Sequence, residues 1–102
     1  MKVYLDDIRE TPEGWARTKT ASETIELLKS DKVSCVSLDH DLGEGNEQGT
    51  GNDVLVWIES QVFTNPNYIP PMIIIHTSNV SAAQKMKAGV QRIREERVRR
   101  TR

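Results

Sequence analysis

Residues 33–43 read VSCVSLDHDLG, an apolar, β-prone run that ends abruptly in two aspartates flanking a histidine. Two other runs have the same form: residues 2–5 (KVYL) stop at a pair of aspartates, and residues 72–75 (MIII) stop at a histidine. Continuous runs of apolar and β-branched residues, without strict alternation, favour strands that are buried on both faces. The sequence therefore predicts three such strands, each followed at once by polar side chains.

Segments with helical spacing of apolar residues separate these runs, and Ser22 is the predicted N-cap of the first helix. The pattern predicts helices over 21–29, 52–62 and 81 to about 97, a further short strand over 15–18, and loops over 43–51 and 64–71. Strand followed by helix, repeated along the chain, indicates one α/β domain with a parallel sheet and right-handed crossovers.

Composition favours a small soluble protein. The 102 residues are 36% hydrophobic and 28% charged, which suits one domain. No apolar run approaches the roughly 20 residues that cross a bilayer, and acidic residues stand near the N-terminus, where a signal peptide has its apolar stretch. The single cysteine, Cys35, excludes an internal disulfide framework and a four-cysteine zinc site. We therefore expect a cytoplasmic protein without membrane contact.

The net charge of −1 is the sum of two unequal parts. Residues 1–84 hold 6 basic and 13 acidic residues, whereas residues 85–102 hold 8 basic and 2 acidic residues. The basic part either steers a phosphate-rich substrate such as nucleic acid or forms a solvated helix end that complements the helix dipole. We predict a domain over 1–97 and a basic tail over 98–102.

The carboxyl ends of the predicted strands gather several carboxylates. Ligands of an open parallel sheet bind beyond these ends, and carboxylates that meet there repel one another unless they share a cation or a proton. Oxygen ligands of this kind favour Mg²⁺ or Mn²⁺; the alternative is that each aspartate caps the turn after its strand. We predict a divalent-cation site formed by Asp6, Asp7, Asp39 and Asp41.

Both histidines of the chain follow strands at this edge. An imidazole with an ordinary pKa of about 6.5 donates or accepts a proton near neutrality. His40 and His76 are therefore candidates for a general acid and a general base at a phosphorus centre, and the sequence leaves open which is which. The alternative is that each is a structural histidine.

Other polar residues near this edge are candidates for holding phosphate. Thr77, Ser78 and Asn79 precede a predicted helix, where they either bind phosphate oxygens or cap the helix. Arg9 either clamps a phosphate or pairs with an acid at the surface. The glycine-rich loop over 43–51 lacks the lysine and the spacing of a Walker loop, and we predict that it covers the site.

The order of these motifs resembles the receiver domain of two-component signalling. Asp6 and Asp7 match the acidic pair that binds Mg²⁺ in that family, Asp39 matches the phosphoacceptor, and Thr77 or Ser78 matches the hydroxyl residue after the fourth strand. The chain departs from the family in two ways. A loop replaces the first helix, and no fifth strand with its phosphate-contacting lysine follows the last helix.

These departures and the two histidines resemble a narrower family, the cyclic-phosphate processing receiver-like domains of bacteria and their phages. The resemblance extends to about residue 93 and rests on the motifs at 5–9 (LDDIR), 37–43 (SLDHDLG), 51–55 (GNDVL) and 76–79 (HTSN). It implies a truncated receiver-like, flavodoxin-like α/β domain with about four parallel strands and flanking helices. It also implies processing of RNA 2′,3′-cyclic phosphate ends or cyclic nucleotide messengers, in the host cytoplasm if a phage encodes the chain.

Our hypothesis from the sequence is a cyclic phosphodiesterase with Asp39 and the two histidines as catalytic residues. A divalent cation would neutralise the phosphoryl oxygens. Arg9, Thr77, Ser78 and Asn79 would position the phosphate. Two alternatives stay open: a nucleotide- or phosphate-binding module without turnover, and a degenerate signalling receiver phosphorylated on Asp39.

Overall fold

A computed structural model describes residues 1–43 and 47–100 of the chain. The elements in these residues are β1 (Lys2–Leu5), β2 (Trp15–Thr18), α1 (Ala21–Leu28), β3 (Cys35–Leu38), α2 (Gly51–Thr64), β4 (Met72–Ile75) and α3 (Val80–Arg100). Every predicted strand and helix is present, although α3 continues through most of the segment predicted as a tail. No helix in the described part of the chain is long and apolar enough to cross a membrane.

The four strands form one parallel sheet in the order β2-β1-β3-β4. In the described residues a loop, not a helix, connects β1 to β2, and no fifth strand is present. The fold is therefore the truncated receiver-like α/β domain that the sequence predicts. The central strands β1 and β3 lie side by side, so the polar residues that follow them emerge next to each other.

All three helices pack on one face of the sheet, where the hydrophobic core lies. Side chains of β1 and β3 that point to this face, such as Leu5 and Leu38, are fully buried and belong to one core cluster with Leu55 and Met86 of the helices. The opposite face carries no helix in the described residues, and Met72 and Ile74 are 65% and 41% exposed there. The prediction that all three strands are buried on both faces is therefore correct only for β3.

Hydroxyl caps fix where the first two helices begin. The side chain of Thr20 accepts a hydrogen bond from the Glu23 N–H, so Thr20 is the N-cap of α1 and the prediction of Ser22 is wrong. Thr50 and Asp53 form a reciprocal capping box at the start of α2. Capping boxes of this kind satisfy N–H groups that have no partner inside the helix.

The start of α2 presses against the backbone at the end of β3. The Gly51 N–H donates to the His40 carbonyl at 3.2 Å, and a Cβ atom on Gly51 would lie 1.8 Å from the Asp39 carbonyl oxygen. Only glycine permits this approach. The contact fixes the backbone that presents Asp39 and His40 at the sheet edge.

Candidate functional site

Asp6, the first residue after β1, is the most buried carboxylate of the site, with 1% of its surface exposed. Its Oδ1 accepts hydrogen bonds from the Ile8 and Arg9 N–H groups, both at 2.9 Å, and its Oδ2 lies 3.0 Å from His76 Nε2. Burial opposes ionisation, but the two backbone bonds and His76 outweigh it, so the pKa of Asp6 is lowered. Asp6 is therefore ionised in the folded protein at neutral pH.

Asp39, the first residue after β3, has the opposite electrostatic environment. Burial raises its pKa, and the neighbouring charge of Asp6 acts in the same direction. Hydrogen bonds from the His40 N–H, at 2.8 Å, and from the Thr77 hydroxyl offset only part of this effect. A positive charge beside Asp39 would remove the cost of ionising it.

His76, the first residue after β4, is held on three sides. Its Nδ1 lies 2.6 Å from the Ser37 hydroxyl, its Nε2 lies against Asp6, and its ring stacks on Tyr4 with centroids 4.3 Å apart. Burial lowers the pKa of His76 although the charges of Asp6 and Asp39 raise it. The neutral imidazole is therefore favoured at pH 7.

Within the described part of the chain, these three residues form a group that could hold a metal ion. One ligand atom from each of Asp6, Asp39 and His76 lies within 4.8 Å of the other two. Two carboxylates and an imidazole are ligands that divalent cations accept. The residues therefore fit a divalent cation, with a composition that differs from the four aspartates proposed from the sequence.

Asp7 and Asp41 lie outside this group. Asp7 is half-buried, with its Oδ2 against Gly43, whose φ of 101° is the left-handed conformation that glycine adopts readily. Asp41 accepts from His40 Nδ1 at 2.9 Å and from Asn79 Nδ2 at 3.3 Å, and these bonds lower its pKa. The structure thus pairs Asp41 with His40 at the rim of the site.

Three of the four candidate phosphate-binding residues make hydrogen bonds within the protein, and the fourth is exposed. Asn79 caps α3 by accepting from the Ala82 N–H, and Thr77 accepts from the Asn79 N–H. The Arg9 guanidinium donates to the His76 carbonyl and lies 3.8 Å from Asp6. Ser78 is exposed.

The glycine-rich loop over 43–51, which the sequence predicts to cover the site, begins and ends beside it. The backbones of Asp41 and Thr50 pair as an isolated antiparallel bridge, which brings the ends of the loop together, and Leu42 beside it is buried. Residues 44–46 of this loop lie outside the described residues, as does Arg102 of the predicted tail.

Two residues that contact His76, Ser37 and Tyr4, are absent from the sequence-based predictions. The register pairs Tyr4 with Ser37, so both side chains point to the helix-free face of the sheet, beside His76. A hydroxyl inside an otherwise apolar strand, two positions before Asp39, is the one sequence signal that singles out Ser37. Tyr4 has no such signal.

The family model described as cyclic-phosphate processing receiver domain matches residues 1–92. The chain therefore belongs to this family, and the match covers every element of the sheet and most of α3. No curated protein and no solved structure matches the chain significantly.

Proposed function

We propose that this domain is a phosphodiesterase that opens cyclic phosphates, with a nucleotide or an RNA end as substrate. The observation that carries the proposal is the convergence of Asp6, Asp39 and His76 at one sheet edge, with the His40–Asp41 pair beside them. Membership of the cyclic-phosphate processing family supports the substrate class.

The reaction adds the oxygen of water to phosphorus and breaks one of the two ring P–O bonds, leaving a phosphomonoester and a free hydroxyl. When bound by Asp6 and Asp39, a divalent cation, Mg²⁺ or Mn²⁺, would supply positive charge against the phosphoryl oxygens. Arg9, whose guanidinium lies 3.8 Å from Asp6, and the exposed Ser78, two residues after His76, would orient the phosphate. Thr77 fixes the Asp39 carboxylate that faces it.

His40 is the histidine whose surroundings best suit proton transfer. Its Nδ1 is held by Asp41, its side chain is 24% exposed, and its Nε2 has no hydrogen-bond partner within the described residues. An imidazole oriented by a carboxylate, with its second nitrogen free, is the usual arrangement of a general acid or base. His40 would take the proton of the attacking water or give one to the leaving oxygen.

The proposal is tested with the purified full chain and 2′,3′-cyclic and 3′,5′-cyclic nucleotides, with Mg²⁺, Mn²⁺ or EDTA. We expect phosphomonoester product that depends on the added cation. Asp39→Asn and His40→Gln should each lower kcat by about 100-fold or more. Asp31→Asn, which changes an exposed aspartate remote from the site, is the matched control and should leave kcat unchanged.

The two alternative functions give different results in the same preparation. A binding module would retain the cyclic nucleotide and release it intact, with no product in any metal. A signalling receiver would gain one phosphoryl group on Asp39 when incubated with a small phosphodonor, which intact mass measurement detects. Either outcome, without turnover, would exclude the hydrolase.

A further inference from the structure

His76 is unusual among the polar residues of the site because both of its ring nitrogens have a partner within the protein and only 15% of its side chain is exposed. Ser37, which is 4% exposed, holds Nδ1, and Asp6, which is 1% exposed, lies against Nε2. The stacked Tyr4 ring, tilted by only 5°, fixes the plane of the imidazole. A group that exchanges protons with substrate needs a nitrogen that substrate or water can reach.

The contact of Nδ1 with Ser37 is of the kind made by a histidine that binds a metal. A metal-binding imidazole presents one nitrogen to the ion, and a fixed acceptor receives the N–H of the other nitrogen and sets the tautomer. In the cation-free protein the Nε2–H faces Asp6. With a cation bound, the Ser37 oxygen is able to accept from Nδ1–H, which frees the Nε2 lone pair for an ion held between His76 and the two carboxylates. His76 Nε2 and Asp6 Oδ2 are 3.0 Å apart. Two neighbouring ligands of an octahedral ion at about 2.1 Å are also about 3.0 Å apart.

We infer that His76 is a protein ligand of the cation, together with Asp6 and Asp39, and that Ser37 is its positioning residue. This inference rests on the proposed function for the presence of a cation at this edge. It specifies the metal further, because an imidazole nitrogen favours transition-metal ions over Mg²⁺. The site of two carboxylates and one imidazole therefore selects Mn²⁺ over Mg²⁺.

The test is electron paramagnetic resonance of the full chain with Mn²⁺. Loss of the signal of free Mn²⁺ measures the affinity, and pulsed measurements detect coupling between bound Mn²⁺ and a ¹⁴N nucleus. We expect ¹⁴N coupling in the wild-type protein and in His40→Gln, and none in His76→Gln. Competition with Mg²⁺ should show a preference for Mn²⁺ that His76→Gln reduces.

Ser37→Ala tests the positioning role separately. We expect it to weaken Mn²⁺ binding by about 10-fold while the ¹⁴N coupling remains, because the ligand is present but no longer held in one orientation. Its effect on Mg²⁺ affinity should be smaller, and a merely structural role would weaken both metals equally. Circular dichroism establishes that each variant is folded.

If His76→Gln does not fold, protein labelled with ¹⁵N-histidine in the His40→Gln background replaces it, and the ¹⁴N modulation should give way to that of ¹⁵N. Mn²⁺ bound without nitrogen coupling, or no Mn²⁺ bound, would overturn the inference. Nitrogen coupling that depends on His76 in a protein that hydrolyses no cyclic phosphate would uphold it and contradict the proposed function. The two hypotheses therefore fail separately.

Discussion

At the scale of single residues, the site places two carboxylates of the same type in opposite electrostatic states. Asp6 receives two backbone N–H bonds and contacts His76, and its pKa is lowered although burial acts against this. Asp39 is buried beside the charge of Asp6, and its pKa is raised. At neutral pH the charge of Asp6 should therefore raise the free energy of unfolding, whereas the charge of Asp39 should lower it.

Asp6→Asn should lower the free energy of unfolding at pH 7 by about 1–2 kcal/mol, because it removes charge-assisted hydrogen bonds. A lowered folded-state pKa gives stability that is present above the unfolded pKa and is lost as pH falls through the folded value. The difference between wild type and variant should therefore shrink below about pH 4. Urea denaturation at pH 7 and pH 3 measures both differences; an equal loss at the two values would contradict the assignment.

Asp39→Asn should raise the melting temperature of the metal-free protein. A raised folded-state pKa means that the ionised form costs folding free energy at neutral pH, and asparagine removes that charge while keeping an oxygen that accepts from the His40 N–H. Thermal denaturation in EDTA checks the direction. Added Mn²⁺ should reverse the order, since it stabilises only the protein that binds it.

At the scale of elements, α2 is positioned by its two ends. Its first residue, Gly51, touches the backbone after β3, and its last turn is held by an arginine from the far end of α3. Arg100 donates to the carbonyls of Val62, Asn65 and Tyr68 at 2.9, 3.1 and 2.7 Å. Helix ends leave carbonyls without partners, which these bonds satisfy.

Gly51→Ala should destabilise the protein by about 3 kcal/mol or more, because its Cβ would overlap the Asp39 carbonyl oxygen and the backbone must move. Gly14→Ala is the control: Gly14 has a φ of 85° but open space around it, so the cost is the conformational strain of about 1–2 kcal/mol. Chemical denaturation compares the two. Similar losses of stability in the two variants would show that the close approach of α2 to the Asp39 backbone is not what requires glycine at position 51.

Arg100→Leu should cost about 2 kcal/mol of folding stability, since three hydrogen bonds from a charged donor are lost. Arg97→Leu is the matched control, because Arg97 lies on the same helix, is exposed and has no hydrogen bond within the described residues. Denaturant titration should separate the variants. If both variants lower the folding stability by the same small amount, the hydrogen bonds of Arg100 do not contribute measurably to folding.

At the scale of the whole molecule, α3 separates the basic residues from the site. The helix begins four residues after His76, packs on β4 and extends for 21 residues, about 31 Å at the usual rise. Its arginine-rich end therefore lies at the opposite end of a molecule whose longest dimension is 41 Å. Surface charges are screened over about 8 Å at physiological salt, so this geometry favours the helix-end interpretation over steering.

Reversing two charges at this end, Arg94→Glu with Arg97→Glu, should leave the affinity for a fluorescent cyclic mononucleotide unchanged within about twofold at physiological salt. Arg9→Glu, at the site itself, should weaken binding. Fluorescence anisotropy at several salt concentrations measures both. A salt-dependent loss in the double variant would restore the steering role and, with it, nucleic acid as a contact of the basic helix.

The sequence by itself determined the strands and helices, and the edge of the sheet at which the polar site residues lie. Apolar β-prone runs such as 33–38 and 72–75 specify strands locally, and parallel pairing brings their carboxyl ends together whatever the details of packing. The family match over residues 1–92 covers both of these runs.

Only the tertiary structure decided which side chains meet at that edge. Asp6 and His76 are 70 positions apart, and Ser37 and His76 are 39 apart, so their contacts depend on strand register and on side-chain orientation. Asp7 and Asp41 carry the same carboxylate as Asp6 and Asp39 but are not part of the cluster, and Asp41 instead pairs with His40 and Asn79. Among the residues that the structure describes, the truncated sheet also leaves one face without helices, and the ring of Tyr4 on that face stacks on His76.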